Sequence, residues 1–203
     1  MQEPRSHVSS EPRVDAIDLV RAQEYALLAT LLSRNPDTEM IGRLALLRGD
    51  ASPLGAAHAA LGEAARGVNE DELEREYSDL FVGLGGDLLL PYSSHYLTGA
   101  LYGRPLARLR ETLRHLGVET AAGHSEPEDH AAILCEIMAG LVDGSIAAPA
   151  GADRDFFERH LAPWIRRFFS DLEHAKSADF YARVGALGRI FVDVEVEAFS
   201  LSD

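Results

Sequence analysis

The chain has 203 residues, of which 46% are hydrophobic and 26% are charged, and its formal net charge is −14. This balance is typical of one ordinary globular domain and excludes a fibrous or fully disordered protein. The negative charge repels phosphate backbones and argues against nucleic acid as a partner. It would suit a basic peptide, although it could also serve only solubility.

The N-terminal sequence bears on the cellular location of the protein, and the cysteine content bears on whether it can form a disulfide. Met1 to Glu11 is polar and lacks a hydrophobic signal core, and no apolar run approaches the roughly 20 residues that cross a bilayer. We therefore expect a cytoplasmic protein without stable membrane insertion. The single cysteine, Cys135, cannot form an internal disulfide, and we expect it to be a small buried apolar side chain.

Helical spacing begins close to the N-terminus. Residues 1–13 contain prolines and serines without periodic apolar positions, so we expect a disordered N-terminal arm. From Val14, apolar residues recur at three- and four-residue spacing until Asn35-Pro36 ends the helix. A short segment around Met40 and an alanine-rich stretch over 54–65 favour two more helices.

The middle of the chain combines a helix with an irregular segment. Asn69 and Glu72 have the spacing of a capping box, so a helix should begin there and stop at the glycines from Gly83 onward. The next segment, 88–96, is apolar and aromatic without a clean period. It contains Pro91, which forbids an uninterrupted helix, and so it predicts a structured loop.

One helix is predicted before residue 120 and another after it. Pro105 can open the first, and Gly117 occupies its C-cap position. Ser125 and Glu128 repeat the capping-box spacing with Pro127 in the first turn, which predicts that the second helix begins there.

The C-terminal third completes an all-α pattern. After a flexible segment at 143–151, the most aromatic helix runs from Phe157 to Leu172 and is expected at the centre of the core. Ser177 can cap a last helix that continues almost to the C-terminus. The sequence lacks a convincing alternating strand pattern, so we expect one helical domain over residues 14–200.

The sequence offers few signs of catalysis. The glycine turn before Asp87 lacks the Lys-Ser/Thr of a P-loop. Glu126 and His130 have i, i+4 spacing and could share a metal, and Asp129 could orient His130 for acid–base chemistry. A half-buried, hydrogen-bonded structural histidine explains the same pattern. A small metal-dependent hydrolase using Asp129 and His130 is therefore the less favoured alternative.

Three segments form a recognisable series. Glu76-Tyr77-Ser78-Asp79-Leu80-Phe81, the glycines and Leu90-Pro91-Tyr92-Ser93-Ser94-His95-Tyr96 are similar to an E-x-x-x-L-F, glycine turn, P-x-x-S-x-aromatic pattern. Glu126-Pro127-Glu128-Asp129-His130 matches E-P-x-D-H. The run from Phe157 to Trp164, with Phe180-Tyr181, is similar to H-L-x-x-W and F-Y positions. In this order, the motifs resemble those of the TorD/DmsD/NarJ superfamily of redox-enzyme maturation chaperones.

This resemblance implies both a fold and a client. The implied fold is a single-domain, all-α bundle of the TorD-like type, which in some members forms a domain-swapped homodimer with E-P-x-D-H at the hinge. Members are non-catalytic and need no cofactor. They bind the N-terminal leader, often twin-arginine, of a molybdopterin oxidoreductase precursor until its cofactor is inserted.

Two versions of the client remain open. NarJ-like relatives serve a molybdoenzyme that is not exported. The segment Tyr96-Leu97-Thr98-Gly99, together with the run from Pro105 to Arg110, instead resembles the branch associated with formate dehydrogenase.

The resemblance and the local chemistry yield candidate client-binding residues. Pro91, Tyr92 and Tyr96 can offer a rigid aromatic ledge to an apolar leader helix. Carboxylates accept the paired hydrogen bonds of an arginine. The carboxylates considered for arginine are Asp79, Asp87, Glu126, Glu128 and Asp129. The candidate leader-binding residues are Leu80, Phe81, Gly85, Pro91, Tyr92, Ser94, Tyr96, Glu126, Pro127, Asp129 and His130.

Overall fold

A computed structural model describes residues 15–83, 88–119 and 126–201. In these ranges the chain forms ten α-helices, and the isolated antiparallel bridge between Tyr92 and His130 is the one β feature. The helices are α1 (Ala16–Ser33), α2 (Thr38–Leu44), α3 (Pro53–Gly67), α4 (Glu70–Tyr77), α5 (Ser93–Thr98), α6 (Gly103–His115), α7 (Ala131–Val142), α8 (Ala152–Phe156), α9 (Ile165–Glu173) and α10 (Phe180–Leu201). The predicted all-α class is confirmed.

Four sequence predictions fall on residues outside the described ranges: the arm at 1–13, Gly85, Asp87 and Ser125. Among the described helices, none combines the length and apolar character that a membrane span requires.

Side-chain caps explain where the first helices begin. The carboxylate of Asp15 accepts the backbone N–H groups of Ile17 and Asp18, each at 2.8 Å. Asn69 accepts those of Asp71 and Glu72 at the start of α4. Each such cap satisfies an N–H that the helix leaves unpaired and contributes about 1 kcal/mol. The helix start predicted at Asn69 is confirmed.

Two groups of packed helices form the core. Helix α7 packs along α1, while α10 packs along α9 and α3. Nine of the twelve α7 residues are buried, as expected for a helix that is apolar on all sides. Cys135 lies among them with 1% of its surface exposed, and burial raises the pKa of its thiol to about 12. The prediction that Cys135 is a buried apolar side chain is confirmed.

The aromatic segment lies in the core, as predicted, but it is not one helix. It consists of α8, a π-helical turn at Phe157–Leu161, and α9. We name this turn π2, since an earlier π-helical turn, π1, follows α4 at Ser78–Val82. Phe157, Trp164 and Phe168 are each at most 2% exposed. The single-helix prediction was wrong because Pro163 lacks a backbone N–H and ends the regular hydrogen-bond ladder between π2 and α9.

The predicted start of α7 is also wrong. The helix begins at Ala131 rather than near Ser125, and its N-cap is His130. Glu128 is bound instead by the guanidinium of Arg110, with nitrogen–oxygen distances of 2.8 and 3.0 Å. The carbonyl of Pro127 accepts the N–H of His130 at 3.1 Å, so this segment forms a turn before the helix.

A carboxylate from α4 holds the beginning of α10. The side chain of Glu76 accepts the backbone N–H groups of Asp179, Phe180 and Tyr181 at 2.8, 3.2 and 2.7 Å. A negative charge at a helix N-terminus is favourable because it meets the positive end of the helix dipole. Glu76, the first residue of the E-x-x-x-L-F motif, therefore joins two distant helices.

Candidate functional site

Two of the motif segments are joined by backbone hydrogen bonds. The carbonyl of Pro91 accepts the N–H of Ala131 at 2.7 Å, and the carbonyl of Asp129 accepts the N–H of Ser93 at 3.0 Å. These bonds flank the bridge between Tyr92 and His130. The P-x-x-S and E-P-x-D-H motifs consequently form one structural unit.

Asp129 organises the start of α5. Its carboxylate is fully buried, and Oδ2 accepts the N–H of Ser94 at 2.8 Å and the hydroxyl of Ser93 at 3.3 Å. Tyr92, at the N-cap position, has no side-chain cap hydrogen bond, so Asp129 supplies the cap from another part of the chain. The loop predicted over 88–96 was therefore wrong from Ser93 onward, where α5 begins.

His130 is a structural residue in this geometry. It is 8% exposed, and its ring packs edge-to-face on Tyr92 with 5.1 Å between ring centroids. Nδ1 accepts the N–H of Ala132 at 3.1 Å, which places the proton of the neutral ring on Nε2. Burial lowers the pKa of His130 and favours this neutral form.

The acid–base and metal alternatives receive no geometric support from these contacts. The hydrogen bonds of Asp129 and His130 run to different backbone groups, Ser94 and Ala132. Glu126 and His130 do not share a helical face, because α7 begins after both of them. In the part of the chain that the structure describes, no group of three or more His, Cys, Asp or Glu side chains could hold a metal ion.

A groove of about 450 Å³ opens beside the joined motifs. Its walls come from α1, from α7 and from the end of α4 with the π-helical turn Ser78–Val82 that follows it. The lining residues are Ala26, Ala29, Thr30, Ser33, Tyr77, Phe81, Val82, Pro91, Tyr92, Glu126, His130, Ala132, Ile133, Glu136 and Ala139.

The groove combines an apolar surface with negative charge. The small side chains of alanines on α1 and α7 leave room for a bound segment to approach these helices closely. On one wall the rings of Tyr77 and Phe81 pack with 5.1 Å between their centroids. Two exposed carboxylates, Glu126 and Glu136, complete the lining, and the described lining residues include no lysine or arginine. This surface suits an apolar segment that carries positive charge.

Tyr92 fixes one of these carboxylates. Its hydroxyl donates a hydrogen bond to Glu126. Burial, together with this carboxylate, raises the pKa of Tyr92 well above its usual range. The hydroxyl is protonated at neutral pH and can donate to Glu126 at the groove.

Five of the predicted site residues line the groove: Phe81, Pro91, Tyr92, Glu126 and His130. Three others lie beneath the surface. Leu80, Ser94 and Asp129 are each 0% exposed, so their side chains support the site without offering a contact surface.

The remaining predicted residues lie elsewhere. Pro127 shapes the turn before α7 through its carbonyl. Tyr96 faces α9, where its hydroxyl donates to Asp171 at 3.0 Å and its ring packs on Trp164 and Phe168. Sequence reasoning placed Tyr96 on the same ledge as Tyr92, and the structure separates them because α5 turns the chain between the two.

Sequence reasoning missed the contributions of α1 and α7 to the groove. Ala26, Ala29 and Ala139 carry no chemical signal that distinguishes them from core alanines. Glu136 could have been found from the sequence, because it is the single charged residue within the apolar run of α7. An isolated charge on a helix that is buried on its other sides indicates an opening to solvent or to a partner.

Comparison with known proteins agrees with the fold and motifs. Residues 47–170 match the family described as nitrate reductase delta subunit. The chaperone protein TorD of Vibrio cholerae serotype O1 (strain ATCC 39315 / El Tor Inaba N16961) is 30% identical over 130 residues, covering 60% of this chain and 59% of that protein. TorD of Aliivibrio fischeri (strain ATCC 700601 / ES114) is 29% identical over 136 residues, covering 62% and 63%.

The match spans less than two thirds of the length of either curated relative. A crystal structure of a redox enzyme maturation protein from Archaeoglobus fulgidus superposes with a TM-score of 0.55 at 20% identity, covering 93% of this chain and 99% of that one. At this identity the superposition shows the fold alone. The matched family segment contains the joined motifs and most of the groove, and the chain belongs to the nitrate reductase delta subunit family, the TorD/NarJ type that its motifs resemble.

Proposed function

We propose that this protein is a cytoplasmic, non-catalytic chaperone that binds the leader and apo form of a molybdopterin oxidoreductase subunit during cofactor insertion and before export. Its family membership and its TorD-named relatives support the general role. The observation that carries the leader-binding step is the groove, which brings apolar walls and the carboxylates Glu126 and Glu136 together.

The groove is suited to a leader helix on physical grounds. An amphipathic helix binds in a groove by burying its apolar face, and here the alanines of α1 and α7 allow the backbone to approach. Arginines near one end of such a segment would meet carboxylates. A carboxylate accepts two parallel hydrogen bonds from one guanidinium, a geometry that lysine cannot reproduce.

The buried motif residues have a positioning role in this proposal. Asp129 caps α5 through Ser94, and His130 begins α7 while supporting the ring of Tyr92. Tyr92 in turn binds Glu126. A change at Asp129 would therefore weaken client binding by displacing groove residues, without removing a direct contact.

The client that the sequence resemblance favours is a formate dehydrogenase. A client that is never exported, as in NarJ-like relatives, is the alternative. The two versions differ in whether arginines contribute to binding, since a client without an export signal has no need of the twin-arginine pair.

Titration calorimetry with synthetic leaders of the organism's own molybdopterin oxidoreductases tests the proposal. We expect one leader to bind, and the double variant Glu126→Gln/Glu136→Gln to bind it about tenfold or more weakly, because charge-assisted hydrogen bonds are lost. The matched control is Glu39→Gln/Glu63→Gln, which removes two exposed carboxylates away from the groove.

The outcomes separate the alternatives. A complete lack of binding to every leader would refute the proposal. Equal affinity for a leader and for its version with both arginines replaced by glutamine would favour a non-exported client. Equal weakening in both double variants would attribute the effect to net charge and would contradict the role of Glu126 and Glu136.

A further inference from the structure

A second cavity lies on the other flank of the P-x-x-S segment. Pro91 and Tyr92 line the groove, whereas Ser93, Leu97 and Thr98 line this cleft of about 740 Å³. Its long wall is α6, and π2 lies opposite. The other lining residues are Arg104, Pro105, Arg108, Glu111, Thr112, His115, Arg159 and His160.

The cleft is basic although the protein is strongly acidic. Its described lining contains three arginines, Arg104, Arg108 and Arg159, and one carboxylate, Glu111, in a chain of net charge −14. Neither Arg104 nor Arg108 forms an ion pair with another described residue, and both are exposed. Arg159 has one contact with Asp155 at 3.4 Å, and both of these side chains are 66% exposed. An exposed pair of this kind contributes little, so these guanidiniums remain available to a ligand.

The charges extend along a line. Arg104, Arg108, Glu111 and His115 follow one face of α6 at intervals of four, three and four residues. At 1.5 Å per residue, this face is about 16 Å long, which equals about five residues of an extended chain.

This arrangement favours a polypeptide over a small phosphate compound. A phosphate group needs donors that converge on one point, whereas these guanidiniums are distributed along the wall. The described lining contains no Phe, Tyr or Trp on which a nucleotide base could stack. Leu97, 44% exposed, adds an apolar contact suited to a side chain of a peptide.

We propose that this cleft binds an acidic, extended segment of the client polypeptide, apart from its leader. The identification of that segment with the client rests on the proposed chaperone function. The groove and the cleft meet at the start of α5, so one client would contact opposite flanks of the same segment with charges of opposite sign.

Fluorescence polarisation of a labelled ten-residue peptide that alternates glutamate and glycine tests the proposal. We expect the wild-type chain to bind it in low salt, and the Arg104→Glu/Arg108→Glu variant to bind about tenfold or more weakly. The matched control, Arg43→Glu/Arg75→Glu, makes the same charge change at exposed positions outside the cleft and should retain binding. The glutamine version of the peptide should not bind.

Three results would overturn the assignment. The first is equal binding of the glutamine peptide, and the second is an equal loss of affinity in the two double variants. The third is displacement of the peptide by an equimolar amount of pyrophosphate, which would show that the cleft binds phosphate compounds. Leader affinity should be unchanged in Arg104→Glu/Arg108→Glu. If no leader binds but the acidic peptide does, the proposed leader function fails while the cleft remains a peptide site.

Discussion

The carboxylate of Asp129 accepts the backbone N–H of Ser94 at 2.8 Å, across 35 residues of sequence and without exposure to solvent. Through this bond a residue of the E-P-x-D-H turn caps the helix that follows P-x-x-S. The second carboxylate oxygen of Asp129, Oδ1, has no hydrogen-bond partner among the described residues. The bond links the two motifs whose residues Pro91, Tyr92, Glu126 and His130 line the groove.

Asp129→Ala should reduce the free energy of unfolding by about 1–3 kcal/mol, because the N–H of Ser94 would remain buried without an acceptor. Asp129→Asn should cost less, since its amide oxygen can still accept this bond while its amide nitrogen replaces the unpartnered oxygen. Urea unfolding of the three proteins measures both effects. Equal losses in the two variants would mean that the negative charge matters, and not the acceptor.

Arg21→Met should reduce the free energy of unfolding more than Asp129→Ala does. Arg21 of α1 makes two hydrogen bonds to Glu195 of α10, at 2.8 and 2.9 Å, and Glu195 is 1% exposed. Losing the guanidinium leaves a buried carboxylate without its cation, which costs about 3 kcal/mol.

The double variant Arg21→Met/Glu195→Gln supplies the control for this prediction. It removes the buried charge as well, and the glutamine oxygen can still accept the hydroxyl of Tyr25, which now donates to Glu195 at 2.9 Å. We expect it to recover most of the lost stability in the same urea measurement. A double variant no more stable than Arg21→Met would contradict this explanation.

Gly185→Ala should lower the melting temperature, because α10 and α9 approach closely at this position. An added Cβ would lie 2.4 Å from the backbone nitrogen of Glu173 and 2.8 Å from the carbonyl oxygen of Phe169. Overpacking of this kind costs about 1–3 kcal/mol. The control is Gly42→Ala in α2, where no atom lies within 4 Å and alanine should be neutral or stabilising. Thermal unfolding that ranks the two variants in the opposite order would refute the packing argument.

His160 should make the fold less stable in acid. Burial, with a smaller contribution from Arg159, lowers the pKa of His160 to about 4, whereas an unfolded histidine titrates near 6.5. Between these values the unfolded chain binds a proton that the folded chain does not, so stability decreases as the pH falls from about 6.5 to about 4.

The variant His160→Gln tests this pH dependence. It loses the contact between Nε2 and the hydroxyl of Thr112, 2.9 Å apart, and should be less stable than the wild type at pH 7. This difference should shrink or reverse at pH 5, because the variant has no imidazole to protonate. Other histidines, including His130, are present in both proteins and cancel in the comparison. A difference that is the same at both pH values would show that His160 stays neutral in both states or protonates in both.

The sequence by itself determined the helical class and the interior of the core. The spacing of apolar residues predicted α1, and Pro105 and Gly117 marked α6. The aromatic content of Phe157 to Leu172 placed that segment in the core. Asn69 marked the start of α4 through a cap formed within three residues. Such features depend on neighbours within one or two helical turns, so the local sequence contains all the information that they require.

Tertiary structure decided where α5 and α7 begin and what the groove contains. Ser125 and Glu128 had the spacing of a cap, yet α7 begins at Ala131 because the backbone of the preceding turn pairs with Pro91 and Ser93. Glu136 became a site residue because α1 and the end of α4 leave its side of α7 uncovered. The physical reason is the same in each case: the hydrogen bonds and the groove walls join segments that are tens of residues apart, and local spacing does not determine such pairings.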